Sequence, residues 1–270
     1  MIYAPVTAGE RLCVLLFMRL VERSNWEALR HSFPLSRRAD EYVELFQEVL
    51  TVNLTCRIVS LGRSLARDRS TTDSIFEREL RIALAWTIGI PQSEIPSVLR
   101  STIEAVRAAE HDFTDREMKR LRSAAKSRGV QCYMCGGKID YDGTGHEWEA
   151  YTLDHVWPQA YGGDSIDENA LPACQGCNEK KSDFATWGMV AVQSLILGLS
   201  PTDERLNEID KTFKFAMHSR AARRFAYIER CSMTQAFLRL GSWQRAELDD
   251  PNELADFFTL RNHRPDPRLV

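Results

Sequence analysis

The chain has 270 residues, 44% hydrophobic and 27% charged, with a formal net charge of −3. That length can bury a sizeable core in one large domain or in two to three small ones. The charge excludes a uniformly basic nucleic-acid binder but leaves room for a local basic face.

In chain order, residues 1–112 read as an N-terminal helical region. Its apolar run Leu12–Met18 is far short of the roughly 20 residues of a membrane span. No small-residue cleavage site follows it, so the protein reads as cytoplasmic, without a membrane partner and with reduced thiols. Ala39, Tyr42, Val43, Phe46, Val49 and Leu50 form the stripe of an amphipathic helix. Similar patterns recur near Leu12–Val21, Ile75–Trp86 and Ile95–Ala108, with breaks expected at Pro34, Gly62 and Pro91. This region reads as a helical bundle with no chemistry of its own.

The sequence Thr114–Glu117 (TDRE) is a capping box, which predicts a helix from there to about Gly129. Between Thr114 and Lys138, seven Lys or Arg residues face only two acids, Asp115 and Glu117. Gly136, Gly137, Gly143 and Gly145 then mark turns, and the helical period disappears until after Asn178. It returns in a strongly apolar helix over Phe184–Leu199. A further helix start is expected at Ser200–Asp203, with Pro201 at the tolerated first position. That helix leads to the basic cluster Ser219–Arg224, and an acidic stretch spans Glu247–Asp256. The expected architecture is mainly α with a small α+β insert: a helical region (1–112), a compact core (113–199) and a second helical region (200–270).

Seven cysteines divide into two kinds. Cys13, Cys56 and Cys231 sit singly among apolar residues and read as core side chains. Cys132–Cys135 and Cys174–Cys177 form two C-x-x-C pairs with glycines in or beside them. A disulfide fits poorly with a cytoplasmic chain, and a redox motif needs only one pair on a βαβ unit. A closed four-thiolate structural Zn²⁺ site is the reading that uses both pairs, and such a site leaves no position for water. Any chemistry therefore lies between the pairs.

Asp154 and His155 would point to opposite faces of a continuing strand, so serving one site requires the strand to end there. Pro158 and Gly162–Gly163 supply the break, and a return strand is expected near Asn169–Ala173, feeding a helix that opens at Asn178.

Taken together, Cys132–Cys135, Asp154–His155–Pro158, Gly162–Gly163, Asn169, Cys174–Cys177, Asn178 and Lys181 resemble the HNH endonuclease family, with its ββα-metal, treble-clef-like fold, over roughly residues 115–190. The resemblance implies that His155 is the general base that activates water. It implies that Asp154 and Asn178 hold a catalytic Mg²⁺ or Mn²⁺, and that Asn169 ties the loop that aims the imidazole. Hard oxygen donors suit those ions, and a neutral histidine can accept a proton near neutral pH. Asn178 stands where the family name has its second histidine.

The implied activity is metal-dependent phosphodiester hydrolysis in DNA, with RNA as an alternative substrate. A role as an effector in restriction or antiphage defence, with a protein partner or self-association through the helical flanks, fits the same reading. The reading from a different class is a zinc-ribbon nucleic-acid-binding module without cleavage. Asn169 and Asn178 also read as a turn residue and a helix cap. Lys180 and Lys181 read either as solvated charges or as phosphate contacts, and Arg120 and Arg122 as a solvated face or a nucleic-acid contact.

Overall fold

The computed structural model describes residues 3–32, 39–67, 73–185 and 203–245, with the backbone alone for 203–213. Helix α1 (Ala8–Leu16) starts at Thr7, whose hydroxyl and the Glu10 carboxylate close a capping box. A π-helical turn extends it over Phe17–Val21, and α2 is the short Glu27–Ser32. Helix α3 covers Ala39–Ala66, α4 covers Asp73–Ala83 with a π-helical turn to Ile88, and α5 covers Ile95–Ala109.

The break expected at Gly62 is absent, because α3 runs through it. A Cβ there would lie 2.5 Å from Val106 Cγ2, so the glycine lets α3 and α5 approach closely instead of ending the helix. Leu12, Leu16, Ile58, Leu80, Leu84 and Val98 fill the core between these helices. The break expected at Pro34 lies outside the described residues.

Helix α6 (Asp115–Ser127) starts at Thr114 with the capping box read from the sequence, and Gly129 follows it with φ +60°. Next comes a two-stranded antiparallel sheet, β1 (Tyr151–His155) and β2 (Ala170–Cys174). Helix α7 (Gln175–Lys181) follows without a gap. It opens at Gln175 rather than at Asn178, because Cys174 is the cap; Asn178 is therefore an interior helical residue.

Helix α8 (Asp203–Glu229) and helix α9 (Met233–Leu240) complete the described chain. The apolar helix expected over Phe184–Leu199, the start near Pro201 and the acidic stretch Glu247–Asp256 lie outside the described residues, apart from Phe184 and Ala185, which are not helical, and Asp203. No described helix is long and apolar enough to cross a membrane.

Two further cores tie the insert to its flanks. Met134, Val156 and Leu171 of the sheet module pack with Tyr42 and Leu45 of α3 and Phe237 of α9. Trp157, in the loop after β1, is buried with Cys13, Val52 and Cys56 of the N-terminal helices. Truncating a buried aromatic of this size typically costs about 3–5 kcal/mol. Gly9 makes the contact possible, since a Cβ there would meet Tyr161 O at 2.2 Å and Trp157 Nε1 at 2.4 Å. The α1 backbone also bonds the loop directly: Gly9 N donates to Gly162 O at 2.7 Å and Ala8 N to Asp164 Oδ2 at 2.6 Å. The loop after β1 is thus built against the helical region. It does not project from the core alone.

Candidate active site and metal centre

The register pairs Tyr151 with Cys174 and His155 with Ala170, which gives the two ends of the hairpin different uses. At one end Cys174 leads into the second cysteine knuckle. At the other, His155 is the last residue of its strand, as two side chains serving one site require.

The Sγ atoms of Cys132, Cys135, Cys174 and Cys177 lie within 4.8 Å of one another. Cys135 and Cys174 are 3.8 Å apart, the edge of a tetrahedron with Zn–S bonds of about 2.3 Å. Gly137 N donates to Cys135 Sγ at 3.3 Å, the turn that folds backbone around a held sulfur. The Cys132 thiol beside it is the main influence pushing the Cys135 thiol down, and the same neighbour pushes Cys174 and Cys177 up. Cys132 and Cys135 are thus both held below the ordinary thiol value and Cys174 and Cys177 above it, mainly through hydrogen bonds among the four sulfurs. Ionising all four would set thiolates against one another in repulsion. A bound dication removes that repulsion, so donor type, number and spacing all fit a structural Zn²⁺. Among the described residues this is the one group of three or more His, Cys, Asp or Glu side chains close enough to share an ion.

At the other end, Asp154 is buried. Its Oδ2 accepts from the Tyr133 hydroxyl at 2.6 Å and its Oδ1 from Lys181 Nζ at 2.9 Å. Lys181 Nζ also donates to His155 O at 2.7 Å, and its side chain is only 2% exposed. Both readings of Lys181, a solvated charge and a phosphate contact, are therefore corrected: the ammonium is enclosed and spent on Asp154. Asp154 and the half-buried Asn178 remain the right donor types for a hard divalent ion, but the carboxylate becomes available to one only when Lys181 withdraws.

The buried pair makes a stability prediction. Lys181→Met leaves a carboxylate enclosed without its counter-ion, which is expected to lower unfolding stability by about 3–5 kcal/mol in denaturant titration. Asp154→Asn in the same background should restore part of the loss. A Lys181→Met variant as stable as the parent chain would contradict the pairing.

Asn169 is 1% exposed and fully engaged. Its Oδ1 accepts from Trp157 N at 2.8 Å, and its Nδ2 donates to Trp157 O and Asp164 O, each at 3.0 Å. It clamps both limbs of the loop that leaves β1.

His155 is half-buried, with its ring stacked on Phe113 at 5.3 Å between centroids and 30° between planes. Its Nε2 lies 3.0 Å from Ser165 Oγ, and Ser165 Oγ donates to His111 O at 2.7 Å. A hydroxyl has one hydrogen and a carbonyl can only accept, so Ser165 spends its hydrogen on His111 and must accept from His155. The neutral imidazole therefore carries its proton on Nε2 and its lone pair on Nδ1. Burial, the largest influence, and the Lys181 ammonium hold the His155 pKa below its ordinary 6.5 against the opposing pull of Asp154 and Asp112.

The basic helix α6 is more internally engaged than its composition implied. Arg120 makes a two-pronged pair with Asp167, at 2.8 and 2.5 Å. Arg122 donates to the Tyr141 carbonyl through two nitrogens and sits over the Tyr151 ring. Both side chains stay exposed while making these contacts, so each still lies on a solvated face. Lys180 is exposed, as a phosphate contact would need. In the cluster Ser219–Arg224, Arg223 is buried against Glu48 at 3.2 Å. Sequence reasoning missed Tyr133, Ser165 and Phe113, which reach the site from 21, 10 and 42 residues away in the chain.

A strand ending in histidine, an asparagine-clamped loop, a return strand and a short helix hung on four cysteines define a ββα-metal core. Residues 132–184 match the family model of the HNH endonuclease, and neither helical flank is covered by it. No curated protein and no solved structure gives a significant match to the chain. The domain implies a nuclease of the HNH type with nucleic acid as its substrate.

Proposed function

We propose that the protein is a metal-dependent endonuclease that hydrolyses phosphodiester bonds in DNA, with His155 as general base. The observation that carries this reading is the His155 imidazole at the end of β1, with Nε2–H anchored on Ser165 and Nδ1 left to act. A water proton passes to Nδ1 as the water oxygen attacks phosphorus. The bond from phosphorus to the leaving oxygen breaks, and that oxygen is reprotonated from the imidazolium or from solvent. Asn169 keeps the loop backbone, and with it the imidazole, in register. Once Lys181 gives up its ion pair with Asp154, a Mg²⁺ or Mn²⁺ held by Asp154 and Asn178 would supply Lewis-acid stabilisation of the charge developing on the phosphate.

The sign of the pH dependence follows from the lowered His155 pKa. The base is neutral, and competent, throughout the range above 6.5, and is lost only as pH falls through its depressed value. Cleavage of duplex DNA is expected to be level from about pH 7 upward, with an acid-side midpoint below 6.5. Rates on duplex DNA and on RNA of matched length, measured across that range, test both the base and the substrate. Binding of either nucleic acid without cleavage at any pH would favour the zinc-ribbon binding module instead.

A further inference from the structure

The contacts that hold His155 do not come from residues 132–184 alone. The segment 110–114 joins α5 of the helical region to α6, and it lies against the catalytic loop. Phe113 supplies the ring stacked on His155, and the His111 carbonyl takes the Ser165 hydrogen that fixes the imidazole tautomer. The segment is itself held by the loop: Gln159 Nε2 donates to His111 O at 3.0 Å and to Asp112 Oδ1 at 2.6 Å. One carbonyl outside the family match thus receives both Ser165 and Gln159.

We infer that Phe113 and Ser165 are positioning residues for His155, and that segment 111–113, where the helical region joins the core, sets the orientation and tautomer of the base. The inference deepens the nuclease reading and rests on it for its effect on rate, though not for its effect on the imidazole. Without the Ser165 hydroxyl, Nε2–H loses its acceptor, and the ring is free to exchange tautomer or turn its proton toward the substrate side. Without the Phe113 ring, the imidazole loses the wall that fixes its plane. The helical region then does more than shield the core, because its linker completes the catalytic histidine.

The test uses the full chain with Ser165→Ala, Ser165→Thr, Phe113→Ala and Phe113→Leu. The Ser165→Ala and Phe113→Ala changes are expected to lower the cleavage rate at saturating plasmid by about 10- to 100-fold with KM little changed, the size of a positioning error at a reacting group. Ser165→Thr keeps the hydroxyl and should restore most of the rate. Phe113→Leu keeps the apolar cover but not the stack, and should fall between. The second readout is the ¹⁵N chemical shifts of the His155 ring, which report which nitrogen bears the proton and do not require cleavage. Nε2–H in the parent chain and in Ser165→Thr, but a mixed tautomer in Ser165→Ala, is the expected pattern. An Nε2–H tautomer undisturbed in Ser165→Ala would overturn the inference, as would wild-type rates in both alanine variants. A parent chain that cleaves nothing would remove the nuclease reading, while the ring shifts would still decide whether the linker sets the tautomer.

Discussion

His155→Ala is expected to reduce DNA cleavage by about 10²- to 10⁴-fold, the range ordinarily contributed by a positioned general base. Affinity for the same DNA should change little, because the imidazole acts on the water in the transition state and not on the bound ground state. The loss should therefore appear in the rate at saturating substrate. The variant should also fold: His155 is half-buried at the end of its strand, its ring contacts are Phe113 and Ser165, and the β1–β2 ladder is made by backbone. Zinc content and thermal melting establish that point independently of activity. A folded, zinc-loaded His155→Ala protein that cleaves as fast as the parent would remove the base assignment.

Cys174→Ser should have a larger structural effect than any other single change considered. Cys174 ends β2, caps α7 and contributes one of four thiols to the metal centre. Structural zinc in small four-ligand sites is worth about 10–16 kcal/mol near pH 7, comparable to the whole stability of an ordinary domain. Losing one thiolate is therefore expected to release zinc and unfold much of the segment 130–180. Lys181, Tyr133 and the two strands would lose their relative placement with it. Elemental analysis of the parent chain should find one tightly bound zinc per chain, and the variant should show little or none, with increased protease cleavage within that segment. A parent chain free of tightly bound zinc would refute the four-thiolate centre.

What is legible in the sequence is what is encoded locally. The capping box at Thr114, the two cysteine knuckles and the strand break after His155 each lie within a few residues, and each predicts its own geometry. Gly62 misled because a glycine inside a helical period has two meanings. It can end a helix or admit a neighbouring one, and only the position of Val106 decides between them. Asn178 misled for a related reason: asparagine favours caps, but here the strand runs directly into the helix and Cys174 takes that place.

The charges misled most. Lys181 follows the second cysteine knuckle, where the sequence leaves a solvated charge and a phosphate contact both open, and it proves to be the last residue of α7. Its partner Asp154 lies 27 residues away in the chain, and no local pattern announces the pair. Arg122 finds its carbonyl 19 residues away, and Ser165 finds His111 at a separation of 54. Composition shows that a helix is basic, but not how many of its charges the fold consumes.

The most direct measurement is the parent arm of the His155 comparison: supercoiled plasmid incubated with the full-length, zinc-loaded chain in Mg²⁺, beside an identical reaction containing EDTA. The account predicts conversion to nicked or linear DNA with Mg²⁺ and none with EDTA. Plasmid that is bound but left intact in Mg²⁺, or cut equally well in EDTA, would contradict it.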